Sequence, residues 1–181
     1  MTNVSLMPWR EWTVDDLDDL PDDGLRYELV DGVLLVSAAP SDLHQLALTN
    51  LVGLMVNTCP LPMRTLVAPV DVTFNRTRQL QPDLLVVPAL DLSSDEPRAM
   101  PLLVVEVLSP STRAVDLTLK RHVFEHGGIP SYWVLDPFTP SLTVLELREG
   151  AYVEIASVVG DEPYDATVPF PVRVVPADLL R

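Results

Sequence analysis

The sequence predicts a mixed α/β domain in which a central β-sheet is flanked by two longer helices. Short apolar segments with strand character are interleaved with two stretches in which apolar residues recur at helical spacing. The chain also contains 18 prolines, most of which fall between these segments and mark the ends of elements. Because 181 residues suit one domain with a substantial core, we expect residues 1–181 to form a single domain.

The first predicted elements are a short helix and a β-hairpin. Thr13 is a suitable N-cap for the helix, and acidic residues fill its first turn, where they interact favourably with the helix dipole. Residues 26–30 and 33–36 have the composition of two strands. Asp31 and Gly32 between them form a dipeptide typical of a tight hairpin turn.

The first longer helix is expected from Ser41 to about residue 57, where Pro60 and Pro62 end it. The second is expected over residues 113–126, ahead of the glycine pair at 127 and 128. In this second helix Val115, Leu119 and Val123 recur at i, i+4 and i+8, so we predict that this stripe packs on the sheet.

The remaining apolar segments are predicted strands. They cover residues 64–74, 84–87, 102–108, 132–135, 142–147 and 152–158. An acidic loop is expected over residues 91–97, between two of these strands.

Composition restricts the function. With 12 basic and 26 acidic residues the net charge is −14 and the pI is near 4.3, which opposes loose binding along a phosphate backbone. The single cysteine, Cys59, excludes an intrachain disulfide. Neither a signal peptide nor an apolar stretch of bilayer length is evident, so we expect a cytoplasmic protein without a membrane segment.

Two carboxylates interrupt apolar strands. Asp83 stands directly before the segment 84–87, and Glu106 lies inside the segment 102–108. An unpaired charge there would cost several kcal/mol, so each acid needs a hydrogen bond, an arginine or a metal ion. If the two acids lie on neighbouring strands, a shared Mg²⁺ ion becomes as good an explanation as a hydrogen bond or an arginine for each. The main-chain oxygen of Val107 would then be a further ligand.

Lys120 is the only lysine in the chain, whereas the other eleven basic residues are arginines. Composition bias alone would explain one surviving lysine, and Asp116 at i, i+4 would then be its ordinary helix-surface partner. The alternative is that the site needs a compact ammonium to hold or activate a water, which the planar guanidinium of arginine cannot replace.

Five segments carry a resemblance to a known family. They are residues 27–32 (Tyr-Glu-Leu-Val-Asp-Gly), Pro82 and Asp83 before an apolar strand, residues 105–111 (Val-Glu-Val-Leu-Ser-Pro-Ser), Asp116 with Lys120, and residues 128–137 (Gly-Ile-Pro-Ser-Tyr-Trp-Val-Leu-Asp-Pro). Together they resemble the Uma-type family of predicted restriction endonucleases, a branch of the PD-(D/E)XK nuclease superfamily. The likeness extends to Phe170, Pro171 and Leu179 and so covers most of the chain.

The resemblance implies a restriction-endonuclease-like core in which Asp83 and Glu106 hold Mg²⁺, with Mn²⁺ as a possible substitute. The superfamily's usual lysine, two residues after the glutamate, is replaced here by Leu108. The resemblance therefore assigns the catalytic lysine to Lys120 on the next helix. It also indicates Glu28 as an additional acid. The alternative is that Glu28 is a surface strand residue that pairs with Arg26 or another arginine.

The histidines are weaker candidates. His44 corresponds to a polar patch of the family, but a histidine near a helix N-terminus is more often a structural hydrogen-bond partner. His122 and His126 have metal-compatible i, i+4 spacing, but the sequence shows no third ligand and a solvated helix end is the simpler interpretation.

The predicted function is metal-assisted hydrolysis of nucleic acid by a homodimer. DNA is the favoured substrate, although the sequence does not distinguish DNA from RNA. Two alternatives remain open at the level of sequence. One is a nuclease fold without catalysis that acts as a binding or regulatory module, which the net charge of −14 supports. The other is a structural or interaction protein in which the acids and the lysine are ordinary surface residues without a catalytic role.

Overall fold

The computed structural model describes residues 5–7, 10–37, 39–89 and 99–181. The acidic loop predicted over residues 91–97 lies outside this range. In the described part of the chain, no helix is both long enough and apolar enough to cross a membrane.

The predicted short helix and hairpin are confirmed. Helix α1 (Val14–Leu17) begins after Thr13, whose backbone N–H donates to the Asp16 carboxylate over 2.8 Å. Strands β2 (Arg26–Val30) and β3 (Val33–Ser37) pair in antiparallel fashion. Asp31 and Gly32 between them have φ of 50° and 76°, the left-handed values that a two-residue hairpin turn requires.

The larger sheet has six strands in the order β11, β10, β9, β8, β7, β4. All neighbours are antiparallel except β8 and β9, which are parallel, so this central sheet is mixed as predicted. Its strands are β4 (Arg64–Val67), β7 (Leu84–Val87), β8 (Leu103–Val107), β9 (Ser131–Asp136), β10 (Ser141–Arg148) and β11 (Ala151–Val159).

A second, five-stranded antiparallel sheet was not predicted. Its order is β1, β3, β2, β6, β5, with β1 at Ser5–Met7, β5 at Val72–Asn75 and β6 at Arg78–Leu80. The segment 64–74, predicted as one strand, is divided between β4 and β5. Pro69 lies between them and cannot donate a ladder hydrogen bond, so the strand ends there. The chain closes with the pair β12 (Tyr164–Ala166) and β13 (Val172–Val174) and a 3₁₀ helix, Pro176–Leu180.

Apolar cores lie on both faces of the six-stranded sheet. On one face, helix α2 (Asp42–Thr58) packs Ala47, Leu51 and Met55 against alternate strand residues. On the other face the strand residues meet Val123 and Phe124 of the second longer helix, together with side chains of the smaller sheet. The two helices therefore flank the central sheet, as the sequence predicted.

The second longer helix, α3, covers residues 113–126 but is not uniform. It consists of an α-helical turn Arg113–Val115, a π-helical turn Asp116–Lys120 and an α-helical segment Arg121–His126. The Arg121 backbone N–H reaches the Asp116 carbonyl five residues earlier. A π turn contains one residue more than an α turn and rotates the residues that follow.

This rotation overturns the predicted apolar stripe. Val123 is buried and Val115 is half-buried, but Leu119 is 41% exposed. Lys120 takes the inward position that Leu119 would occupy in a regular helix, and it is 3% exposed. The π turn thereby places Asp116 and Lys120 beneath the helix instead of on its outer side.

Candidate active site

Asp83 and Glu106 lie opposite each other on neighbouring strands. Strands β7 and β8 pair Leu84 with Val105, so the same antiparallel register places Asp83, one residue before β7, across from Glu106. Strand alternation directs both side chains to the sheet face that carries α3. Both residues are almost completely buried, at 2% and 1% exposure.

Three donors hold the Asp83 carboxylate. Arg26 Nη1 donates to Oδ1 over 2.9 Å, and His44 Nε2 and the Val107 backbone N–H donate to Oδ2 over 3.1 and 2.9 Å. Burial would raise the pKa of Asp83, but the His44 hydrogen bond and the Arg26 charge outweigh it, so this pKa lies well below its usual value. Asp83 is therefore ionised at neutral pH.

Lys120 is surrounded by carboxylates. Its Nζ lies 3.0 Å from Glu28 Oε1, 3.1 Å from Glu106 Oε1 and 3.6 Å from Asp116 Oδ1. Burial would lower the pKa of Lys120, but Glu106, Glu28 and Asp116 raise it further than burial lowers it. The lysine is thus a permanent ammonium and cannot serve as a general base near neutral pH.

Glu28 is a buried acid and not the surface residue of the alternative interpretation. It is 1% exposed on β2, and its Oε1 also accepts the Gln81 backbone N–H over 2.8 Å. Arg26, two residues earlier on the same strand face, pairs with Asp83. The smaller sheet therefore contributes one acidic residue, Glu28, and one basic residue, Arg26, to the cluster.

The cluster contains more negative than positive charge. Among the described residues, four buried carboxylates (Glu28, Asp83, Glu106 and Asp116) share two permanent cations, Arg26 and Lys120. Burial raises the pKa of Glu106 well above its usual value despite Lys120, and it raises that of Asp116 to about 6. Either protons or a further cation must compensate the excess of acid.

Most of the cluster lines an open cavity of about 650 Å³. The loop after β8 and the start of α3 contribute Ser109, Ser111 and Thr112 to the lining, and Arg26 and His44 line the cavity as well. Asp83, Glu106, Val107, Asp116 and Lys120 also line it. The buried charges are therefore accessible to a ligand from solvent.

The donor set fits Mg²⁺ or Mn²⁺, which prefer carboxylate, carbonyl and water oxygens. Asp83 accepts three hydrogen bonds from described residues, which leaves one of its four acceptor positions, on Oδ1. The Leu108 N–H bonds to the Leu135 carbonyl on the β9 side, so the N–H and carbonyl of Val107 face the Asp83 side. Within the described residues, Asp116 Oδ1 accepts no hydrogen bond.

The structure thus brings together every residue singled out for this site: Glu28, His44, Asp83, Glu106, Val107, Asp116 and Lys120. Two further residues were missed. Arg26 anchors Asp83, and the hydroxyl of Tyr132, which is buried on β9, donates to the Asp116 carbonyl. Alternation on β2 could have paired Arg26 with Glu28 on one face, but no sequence signal indicates the Tyr132 contact.

Comparison with known proteins agrees with this architecture. A crystal structure of "a putative nuclease belonging to DUF820" from Anabaena variabilis superposes with a TM-score of 0.71 at 21% identity and covers 93% of this chain and 97% of that chain. Among curated proteins none matches significantly. The family Uma2, described as "Putative restriction endonuclease", matches residues 14–176. The chain therefore belongs to the Uma2 family, and its restriction-endonuclease-like α/β fold is shared with the Anabaena protein.

Proposed function

We propose that this protein is a divalent-metal-dependent endonuclease that hydrolyses phosphodiester bonds in DNA. The observation that carries the proposal is the convergence of Asp83 (just before β7), Glu106 (β8) and Lys120 (α3) in the lining of one open cavity. Family membership supports the same reaction class. The excess of buried carboxylate gives a divalent cation a reason to bind there.

Asp83, Glu106 and the Val107 carbonyl would hold the ion. Bound Mg²⁺ supplies Lewis-acid neutralisation of the phosphate and lowers the pKa of a water. Hydrolysis would form a bond between the water oxygen and phosphorus and break the bond from phosphorus to the leaving deoxyribose oxygen. The attacking water loses one proton and the leaving oxygen gains one, so the overall step is balanced. Arg26 and His44 fix the orientation of Asp83 during this reaction.

Lys120 would stabilise the negative charge that grows on the phosphate. Its pKa, which the surrounding carboxylates raise in the metal-free protein, supports this electrostatic role over a role as general base. Glu28 holds the ammonium from the side of the smaller sheet. Such preorganised charges are commonly worth about 100-fold or more in rate.

A homodimer would explain cleavage of both strands of a duplex. The two strands run in opposite directions, and two copies of the site related by a two-fold axis would present equivalent geometry to each. Light scattering coupled to size exclusion would give a dimer mass, whereas a monomer at micromolar concentration would remove this part of the proposal.

The first experiment combines metal binding with cleavage. Calorimetric titration with Mn²⁺ should show stoichiometric binding that disappears in Asp83→Asn, and wild-type protein should relax supercoiled plasmid only with Mg²⁺ or Mn²⁺. Glu154→Gln, an exposed charge loss on β11, is the matched control and should keep both properties.

The net charge of −14 favours a second candidate, a nuclease fold that binds a partner without cleaving. Metal binding without cleavage of DNA or RNA in any strand form would favour that candidate over the endonuclease. Absence of both metal binding and cleavage would contradict the proposed endonuclease function.

A further inference from the structure

A second cluster of metal-ligating side chains lies at the other end of α3. His122, Glu125 and His126 each offer a ligand atom, and these atoms all lie within 4.8 Å of one another. The two imidazole rings are 4.0 Å apart between centroids. The expectation of no third ligand beside the histidine pair was wrong, because Glu125 at i+3 lies on the same helix face as His122 and His126.

Neighbouring groups already orient this cluster. His126 Nδ1 lies 2.9 Å from the His122 carbonyl oxygen and donates to it, so the lone pair of Nε2 is directed away from the helix. In metal-binding histidines, the ring nitrogen that does not bind the metal characteristically donates its N–H to a carbonyl or carboxylate in this way. The Tyr152 backbone N–H donates to Glu125 Oε1 and holds that carboxylate between the helix and β11.

The donor types distinguish this cluster from the cavity. Two imidazoles and one carboxylate suit Zn²⁺ and related transition metals, whereas the oxygen-only set around Asp83 suits Mg²⁺ or Mn²⁺. Ligands of one tetrahedral Zn²⁺ lie roughly 3.3 Å apart at bond lengths of about 2.0–2.1 Å. Both histidine side chains are exposed, so the surrounding protein leaves them room to rotate toward that spacing.

We infer that His122, Glu125 and His126 form a second metal site, which binds one transition-metal ion of the Zn²⁺ type and leaves its fourth position to water. The ion would tie together three side chains of the last α-helical segment of α3, and its ligand Glu125 would connect this segment to β11 through the Tyr152 N–H. The same helix carries Asp116 and Lys120, so the ion would stabilise the segment that supports the cavity.

Titration of the full-length protein with ZnCl₂ in excess Mg²⁺ tests the inference. Wild type should bind one equivalent, His122→Gln and His126→Gln should each weaken binding by at least about 10-fold, and Glu125→Gln should weaken it to a smaller extent. Glu154→Gln removes the same charge from an exposed position on β11 outside the cluster and should leave the isotherm unchanged.

The chain has only three histidines, so imidazole NMR gives an independent measurement. Zn²⁺ should shift the resonances of His122 and His126, while His44, which faces Asp83, serves as the internal reference. An unchanged isotherm in the His122→Gln/His126→Gln double variant, or a shift confined to His44, would overturn the site. Neither result depends on whether the protein cleaves DNA.

Discussion

The Tyr132 hydroxyl donates to the Asp116 carbonyl oxygen over 2.9 Å, at the first residue of the π turn that carries Lys120. The same carbonyl accepts the Arg121 N–H that closes the turn. Because Tyr132 lies on β9, this bond fixes the helix at a defined height above the sheet. It also connects the core of the sheet to the position of the ammonium.

Tyr132→Phe should therefore lower the rate of cleavage while it reduces the stability of the fold only slightly. Loss of the buried hydrogen bond should cost about 1 kcal/mol of unfolding free energy, and the loosened π turn should lower the rate of plasmid cleavage. Tyr152→Phe is the matched control, since its hydroxyl donates over 3.0 Å to the Ile129 carbonyl, away from the cavity. Equal cleavage rates in the two variants would argue against a role for the Tyr132 bond in positioning Lys120.

Asp116→Asn should change how the stability of the metal-free protein depends on pH. Burial raises the pKa of Asp116 in the folded protein to about 6, so the stability that protonation provides is present below the unfolded value near 3.8 and is lost as pH rises through 6. The variant should equal wild type near pH 4 and exceed it at pH 7.5, by on the order of 1–3 kcal/mol.

Chemical denaturation of both proteins across this pH range measures the difference. A variant less stable than wild type at pH 7.5 would show that the ionised Asp116 contributes favourably to folding. That result would contradict the excess of negative charge assigned to the cluster.

Arg26→Met should destabilise the protein most at neutral pH. The pKa of Asp83 is lowered in the folded protein, so its stabilising contribution is present above the unfolded pKa and is lost as pH falls. Removing Arg26 should cost about 1–3 kcal/mol at pH 7 and progressively less below about pH 4. Arg173→Met, which breaks an exposed pair with Asp165, should cost less than about 1 kcal/mol at any pH.

The π turn can be tested through two apolar residues of α3. Leu119→Gln should leave stability within about 0.5 kcal/mol because the side chain is 41% exposed, whereas Val123→Ala should cost roughly 1–3 kcal/mol from a fully buried position. Denaturant unfolding of the two variants shows whether Leu119 faces solvent, as the π turn requires, or faces the core, as in a regular α-helix. A large loss for Leu119→Gln would restore the regular helix that the sequence predicted.

Local signals in the sequence predicted most elements of the central sheet and both longer helices. The turn at Asp31 and Gly32, the caps of the helices and the buried runs around Leu84 and Val105 all depend on neighbouring residues, so pattern reasoning locates them. The smaller sheet depends on pairing between distant short strands such as β2 and β6. Such pairing leaves little local trace.

The site shows the same division. Asp83 and Glu106 could be recognised because a carboxylate in an apolar strand needs a partner, and Lys120 because it is the only lysine. The inward turn of Lys120 could not be predicted, since helical periodicity assumes 3.6 residues per turn and the π turn departs from it. The sequence also could not show that Arg26 pairs with Asp83 instead of Glu28, because this choice depends on how the two sheets pack together.

The most direct measurement of the central claim is plasmid cleavage by Lys120→Met in Mn²⁺, with folding verified by circular dichroism. Arg148→Met, which removes one positive charge from an exposed pair with Glu146, is the matched control and should cleave like wild type. We expect Lys120→Met to lose activity by about 100-fold or more while it retains the folded spectrum. Wild-type cleavage by a folded Lys120→Met protein would contradict the assignment of this buried ammonium to phosphodiester hydrolysis.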